Sequence, residues 1–193
     1  MTMTPRLRRS IRRAMPLALA LALLAQAPAG AAPDAPTVLE RRVKAAYLYK
    51  FAGYVDWPSS AFHDASDPLV IGVIGDDALA DELERLVEGR RSGGRPVHVR
   101  RIEETTEPGN AHLLFVGRSH ANRTAEVVEA LHLRPVLVVT ESSRSVGHGA
   151  MINFVLEVGR VRFVVDLDAA ERSGLGLSSR LLTVARTVTS KRS

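Results

Sequence analysis

Apolar residues recur at helical spacing early in the chain, where Leu39, Val43, Ala46, Tyr47, Phe51 and Tyr54 share one stripe. Thr37-Val38-Leu39-Glu40 has the form of a capping box: the Thr hydroxyl takes an orphan backbone N–H and Glu40 reaches back. A first helix is therefore predicted over residues 38–54, stopped by Trp57-Pro58, because proline pushes its predecessor out of the α region. The pattern then changes. Pro68–Gly75 is a continuous apolar run rich in β-branched residues, as in a strand buried on both faces of a parallel sheet. Asp76-Asp77 can cap the next helix, whose apolar face is Leu79, Leu83, Leu86 and Val87 and which Gly89 and Gly93-Gly94 end. Pro96–Arg100 reads as a second strand, Glu103–Asn110 as a polar loop and Leu113–Gly117 as a third strand. Ser119 is placed to cap a helix carrying Ala125, Val128, Ala130 and Leu131, and Pro135–Thr140 is a fourth strand.

This order predicts a three-layer α/β domain, and the right-handed crossover rule favours a Rossmann-like arrangement. The ending differs. Met151–Glu157 and Arg160–Asp166 flank Val158-Gly159 and read as an antiparallel hairpin. Asp168 begins a short helix, and Ser178 begins a last one with Leu181, Leu182, Ala185 and Val188. The expected fold is thus a Rossmann-like domain with a mixed, mainly parallel sheet, a C-terminal hairpin and flanking helices.

The front of the chain has another character. Arg6, Arg8, Arg9, Arg12 and Arg13 precede the apolar run Met15–Ala25, and Ala27-Pro28-Ala29-Gly30-Ala31 follows. A basic region, a short apolar region and an Ala-x-Ala exit form a secretory signal. The run is shorter than the roughly 20 residues that span a bilayer. Residues 1–31 are expected to be a signal peptide cleaved after Ala29 or Ala31, residues 32–36 a linker, and residues 37–193 a single domain at work outside the cytoplasm with no membrane insertion after cleavage. Removing the signal changes the charge picture. The chain has 26 Lys and Arg against 21 Asp and Glu, and five of the bases lie in the signal, so the exported part is formally neutral. No basic stripe with interleaved aromatics suggests nucleic acid. The absence of Cys removes thiol nucleophiles, thiolate metal sites and disulfides.

Candidate chemistry is sparse. Gly72-Val73-Ile74-Gly75-Asp76-Asp77 sits where a strand meets a helix, yet it is neither the dinucleotide fingerprint nor a P-loop. An acidic pair after the first strand also occurs in response-regulator receivers, but no Asp follows the third strand, which ends in Gly117-Arg118. His63, His98, His112, His120, His132 and His148 form no metal-binding spacing. Ser142-Ser143 and Gly147-His148-Gly149 make a polar loop without a nucleophile elbow, and no carboxylate pair has a glycosidase pattern. No metal, cofactor or catalytic residue is expected. Six of the nine aromatic side chains fall within residues 47–62. Tyr47, Phe51 and Tyr54 suit the sheet-facing side of the first helix. Tyr49 and Trp57 are candidates for a partner contact, since Tyr and Trp are favoured there, with Arg180 as a polar neighbour. If a ligand binds in the crevice at the strand carboxyl ends, Gly75, Asp76, Gly117 and Arg118 would line it.

Several stretches together resemble the YfiR family of periplasmic proteins: Val43–Pro58, Leu69–Asp77, Leu113–Gly117, Gly149–Glu157, Arg160–Phe163 and Ser178–Leu182. Lys50 stands where the family commonly has Asn, and Val164, Val165 and Asp166 stand where a Glu-x-Asn is usual. The resemblance implies a non-enzymatic repressor. It would bind the periplasmic sensor part of an inner-membrane diguanylate cyclase and hold it inactive, limiting cyclic-di-GMP and biofilm formation. It also implies a homodimer and no cofactor. Disulfide control cannot carry over to a chain without Cys. The alternatives are a periplasmic small-ligand sensor acting with a sensor kinase, or an exported enzyme of unseen type.

Overall fold

A computed structural model describes residues 36–103, 109–131, 134–142 and 149–190. The expected signal peptide and the linker before Pro36 lie outside these residues, as do Ser143 and His148 of the polar loop.

Helix α1 spans Val38–Gly53 and opens with Thr37, whose side chain accepts the Glu40 N–H at 3.1 Å. The capping box is only half formed, because the Glu40 carboxylate turns along the helix and accepts from Lys44 Nζ at 2.5 Å. The helix ends at Gly53, four residues short of Trp57, where the Tyr54 N–H closes on the Phe51 carbonyl. The remaining elements are β1 (Val55–Asp56), β2 (Leu69–Ile74), α2 (Asp77–Val87), β3 (Arg91–Ser92), β4 (Arg95–Arg101), β5 (Leu113–Val116), α3 (Thr124–Leu131), β6 (Leu137–Glu141), β7 (Ile152–Glu157), β8 (Arg160–Asp166), α4 (Leu167–Arg172), β9 (Gly176–Leu177), α5 (Ser179–Val184) and β10 (Thr187–Thr189).

Eight strands form one sheet in the order β10-β8-β7-β6-β5-β2-β4-β3, and β1 pairs with β9 in a separate two-stranded piece. Strands β4, β2, β5, β6 and β7 are mutually parallel, and β8 folds back antiparallel on β7 as the hairpin pattern predicts. Numbered in chain order, the parallel strands run 2-1-3-4-5. The order therefore reverses between β2 and β5. The Rossmann-like expectation holds, with this doubly wound order as its particular form.

The sheet is buried on both sides, which makes three layers. On one side α1, α2 and α5 bring Leu48, Phe51, Leu79, Leu83 and Leu181 onto Ile71, Val73, Phe115, Phe154 and Phe163. On the other, Val127 and Leu131 of α3 with Ile102 and Ala111 cover Ile74, Leu114, Val116 and Val138. Gly72 sits between these layers because a Cβ there would stand 2.5 Å from Ile102 Cδ1 and 2.8 Å from Leu114 Cδ1.

Three local expectations are corrected. Ser119 does not cap a helix: residues Arg118–Arg123 make a 3-10 turn before α3, and the Ser119 hydroxyl donates to the Gly75 carbonyl at 2.8 Å. The last helix does not reach Val188. It stops at Val184, Arg186 N–H donates to the Phe163 carbonyl at 2.9 Å, and Thr187–Thr189 pairs parallel to β8. The run Thr187-Val188-Thr189 is β-branched and prefers a pleated edge to a helix end. Gly93-Gly94 does not end α2. It turns the β3–β4 hairpin, with φ of 56° and 81° in the left-handed region that a two-residue hairpin turn needs.

Candidate functional site

The carboxyl ends of β2, β5 and β6 meet at the point where strand order reverses, the usual ligand position of such sheets. Gly75 follows β2 with φ of 71°, and a Cβ on Gly117, after β5, would stand 2.9 Å from the Gly75 carbonyl oxygen. The two chains run together so closely here that only glycine fits at 117. Asp76 then caps α2 through its carboxylate, which accepts the Leu79 N–H at 3.0 Å. Burial pushes the Asp76 carboxyl above its ordinary range. The Leu79 N–H and the charge of Lys44 oppose that shift, and the charge of Glu141 adds to it.

A chain of charge backs this corner. Lys44 is 1% exposed, and its Nζ lies 2.5 Å from Glu40 Oε1 and 2.7 Å from Glu141 Oε2. Glu141, the last residue of β6, also accepts from Arg118. Beneath it the buried Asn153 side chain accepts the Ser142 N–H at 2.9 Å and donates to the Ser142 carbonyl at 3.2 Å, fixing the start of the following loop. Lys44 is held between two carboxylates and Glu141 between two cations, so neither is placed as an unengaged nucleophile or base. The arrangement fixes charge and joins α1 to β6. Among the described residues, no group of three His, Asp or Glu side chains could hold a metal ion.

The opposite end of α1 carries the aromatic group. The imidazole of His112 accepts the Val70 N–H at Nδ1 (3.1 Å) and faces the Ala61 carbonyl with Nε2 (2.9 Å), which fixes the tautomer with its proton on Nε2. Phe62 stacks on this ring at 4.3 Å, Trp57 meets it edge-on at 6.0 Å, and the Arg95 guanidinium lies 3.7 Å over Phe62. Burial pushes the His112 pKa down, the Ala61 carbonyl opposes this, and the charge of Arg95 adds to it.

Between α1 and α5 runs an open groove of about 480 Å³ lined by Tyr47, Lys50, Phe51, Tyr54, Arg180 and Val184. Its floor is aromatic, since Tyr47 and Phe51 stack at 5.7 Å and both rings contact Phe154 and Phe163. Its rim carries Lys50 and Arg180, both exposed.

Gly75, Asp76, Gly117 and Arg118, named from the sequence as one crevice, lie together at the switch point. Tyr49, Trp57 and Arg180 do not form one surface. The Tyr49 hydroxyl donates to the Arg91 carbonyl at 3.0 Å with Arg90 over its ring, and the Trp57 indole donates to the Ala52 carbonyl at 3.1 Å. Arg180 lies apart from both, on the groove. The sequence reading missed Lys44, Glu40 and Glu141. One signal was available: Lys44 stands four residues after Glu40, a helical ion-pair spacing.

Fold and site define a doubly wound α/β domain with a buried charge cluster behind its switch point. Residues 41–186 match the model of the YfiR/HmsC-like family, and the chain belongs to that family. Its members are periplasmic regulators rather than enzymes. Two solved structures are similar to part of the chain. A conserved domain protein from Vibrio cholerae O1 biovar eltor is 12% identical, with a TM-score of 0.48, covering 62% of this chain and 54% of that one. The ABC domain in complex with L-Trp from Streptococcus pneumonia is 13% identical, with a TM-score of 0.49, covering 63% and 55%. The matched region is thus about half the length of each.

Proposed function

We propose that this protein is a periplasmic repressor that binds the periplasmic sensor part of an inner-membrane diguanylate cyclase and holds it inactive, so limiting cyclic-di-GMP and biofilm formation. The observation that carries this reading is the family match over residues 41–186. The mechanism is a population shift: the repressor binds the off state better than the on state, and only that difference in affinity acts. Of the three residues first considered for partner contact, Arg180 fits best. Tyr49 and Trp57 use their polar atoms within the domain, whereas Arg180 and Lys50 have no ion-pair partner among the described residues. The groove they flank, with the aromatic wall of Tyr47 and Tyr54, suits an acidic partner segment with an apolar anchor.

The test is crosslinking of the tagged exported chain in periplasm and inner membrane, with mass spectrometry of the captured proteins. Recovery of a diguanylate cyclase, weakened by Arg180→Glu, is the expected result. No recovered cyclase, together with unchanged cyclic-di-GMP after deletion of the gene, overturns the reading. A second reading rests on the switch-point cluster. There the domain senses a small ligand through Gly75, Asp76, Gly117 and Arg118 and acts with a sensor kinase. A rise in melting temperature with amino acids or nucleotides, lost in Arg118→Ala, supports it.

A further inference from the structure

Four aliphatic side chains open to solvent stand on elements that end at one edge of the molecule. Val38 and Leu39, in the first turn of α1, are 56% and 71% exposed; Leu156, near the end of β7, is 53% exposed; and Val158, in the β7–β8 turn, is fully exposed. The shared edge follows from the ion pairs and the topology. The first turns of α1 reach Glu141 at the carboxyl end of β6, and β7 runs parallel to β6 and ends beside the same edge.

The apolar seam of the core continues outward in this direction. Tyr47 contacts Phe154 and Phe163. One turn earlier on α1 is Val43, and one more is Leu39. Two residues further along the hairpin is the pair Leu156 and Val161, followed by Val158. Helix and strands keep step, because one turn and two strand residues each advance by roughly 6 Å.

Val158 is unusual in its backbone as well as its exposure. Its φ is 47°, and Gly159 beside it has φ of 72°. This two-residue turn favours Asn or Gly at the first position, and a β-branched residue is strained there. The chain thus keeps an aliphatic side chain at a protruding tip against local preference. The adjacent charge is positive. Glu157 is engaged by Arg186 at 2.7 Å, whereas the exposed Arg160 and Arg162 have no ion-pair partner among the described residues.

From this combination we infer that the β7–β8 tip, with the first turn of α1, docks the domain peripherally on an anionic lipid surface. Val158, Leu156 and Leu39 enter the headgroup zone, and Arg160 and Arg162 pair with lipid phosphates. A protruding tip with one fully exposed side chain suits a deformable lipid surface. The partner groove of the previous section lies on other residues, so failure of either reading leaves the other standing.

Flotation of the exported chain, purified from the periplasm, with vesicles rich in phosphatidylglycerol tests this. Binding is expected there and not with phosphatidylcholine alone. Val158→Asn removes the aliphatic group and relieves the turn, so it should lower the partition coefficient by about tenfold while raising the melting temperature. A loss of fold cannot produce that pair of results. Arg160→Ser with Arg162→Ser should weaken binding and flatten its salt dependence. No binding by the parent chain, or binding unchanged in Val158→Asn, overturns the inference. A dimer that Val158→Asn dissociates in the absence of lipid also overturns it and assigns the tip to a second copy.

Discussion

Replacing Lys44 by Met removes the charge that joins α1 to β6 and nearly conserves side-chain length. The ammonium is buried, with side-chain exposure of 2%, and the two carboxylates it serves are at 10% and 7%. Breaking a buried ion pair by removing one partner costs about 3–5 kcal/mol, because the other charge is left without water or partner. Arg118 still holds Glu141, so the lower end applies and a loss of about 3 kcal/mol is expected. For a domain of this size that lowers Tm by roughly 6–12 °C. Changing Glu141 to Gln in the same molecule removes one stranded charge, and the double variant should recover about half of the loss. Urea unfolding followed by the fluorescence of Trp57, the single Trp, measures both quantities. A Lys44→Met variant within about 0.5 kcal/mol of the parent, or strictly additive effects of the two changes, would refute the reasoning, since residues in one network must couple.

The same assay tests three further expectations. Phe51 is 1% exposed and stacks among Tyr47, Phe154 and Phe163, so Phe51→Ala should cost about 3–5 kcal/mol. Gly72→Ala places a methyl against Ile102 and Leu114 and should cost about 1–3 kcal/mol by overpacking, with Gly75→Ala strained for the separate reason of its positive φ. His112 has its pKa below the ordinary value of 6.5 in the folded state, so the unfolded chain takes up its proton first as pH falls. Its contribution to stability is complete above pH 6.5 and is lost as pH falls from there through the folded pKa, and a His112→Gln variant should lack that part of the pH slope.

How far the sequence could be read depended on the distance over which each cause acts. Helix α1 was legible because its helical spacing and its Thr37 cap are local, but its buried face was not. Leu39 is 71% exposed, and the buried residues are Lys44, Ala45, Leu48, Phe51 and Ala52, of which only Phe51 belongs to the expected stripe. The switch-point set was legible because a strand running into Gly75-Asp76 and another into Gly117-Arg118 must bring those turns to one sheet edge. The β7–β8 hairpin followed from alternation around Val158-Gly159. The Lys44–Glu141 pair was not legible, since nothing near either residue names the other; only the strand order does. Ser119 fitted a cap by residue type, but the closeness of β2 and β5 offered its hydroxyl the Gly75 carbonyl instead. Strand β10 was hidden because three residues give too short a pattern to distinguish from a helix end. The contact candidates failed to converge for a geometric reason: Tyr49 lies toward the β3 hairpin and Trp57 toward His112, so residues close in sequence face different neighbours.

One element passes both regions for which a function is proposed. Helix α1 holds Glu40 and Lys44 at the charge cluster and Tyr47, Lys50 and Phe51 at the groove, over 16 residues or about 24 Å. Its buried residues include Lys44, Ala45, Leu48, Phe51 and Ala52, so a displacement at one end is resisted by close packing along its length. That gives a ligand at the switch point a physical route to the groove, and the route has a measurable consequence. A ligand shifts partner affinity only by its own difference in affinity for the two states, and the effect must be reciprocal. Lys44 and Arg180 share no ion-pair partner among the described residues, so rigid independent ends would give additive effects of Lys44→Met and Arg180→Glu on partner capture within about 0.5 kcal/mol. A coupling larger than that would mark α1 as the connection between the two ends. Additivity would leave the charge cluster as structural support for the first turn of the helix and place regulation wholly at the groove.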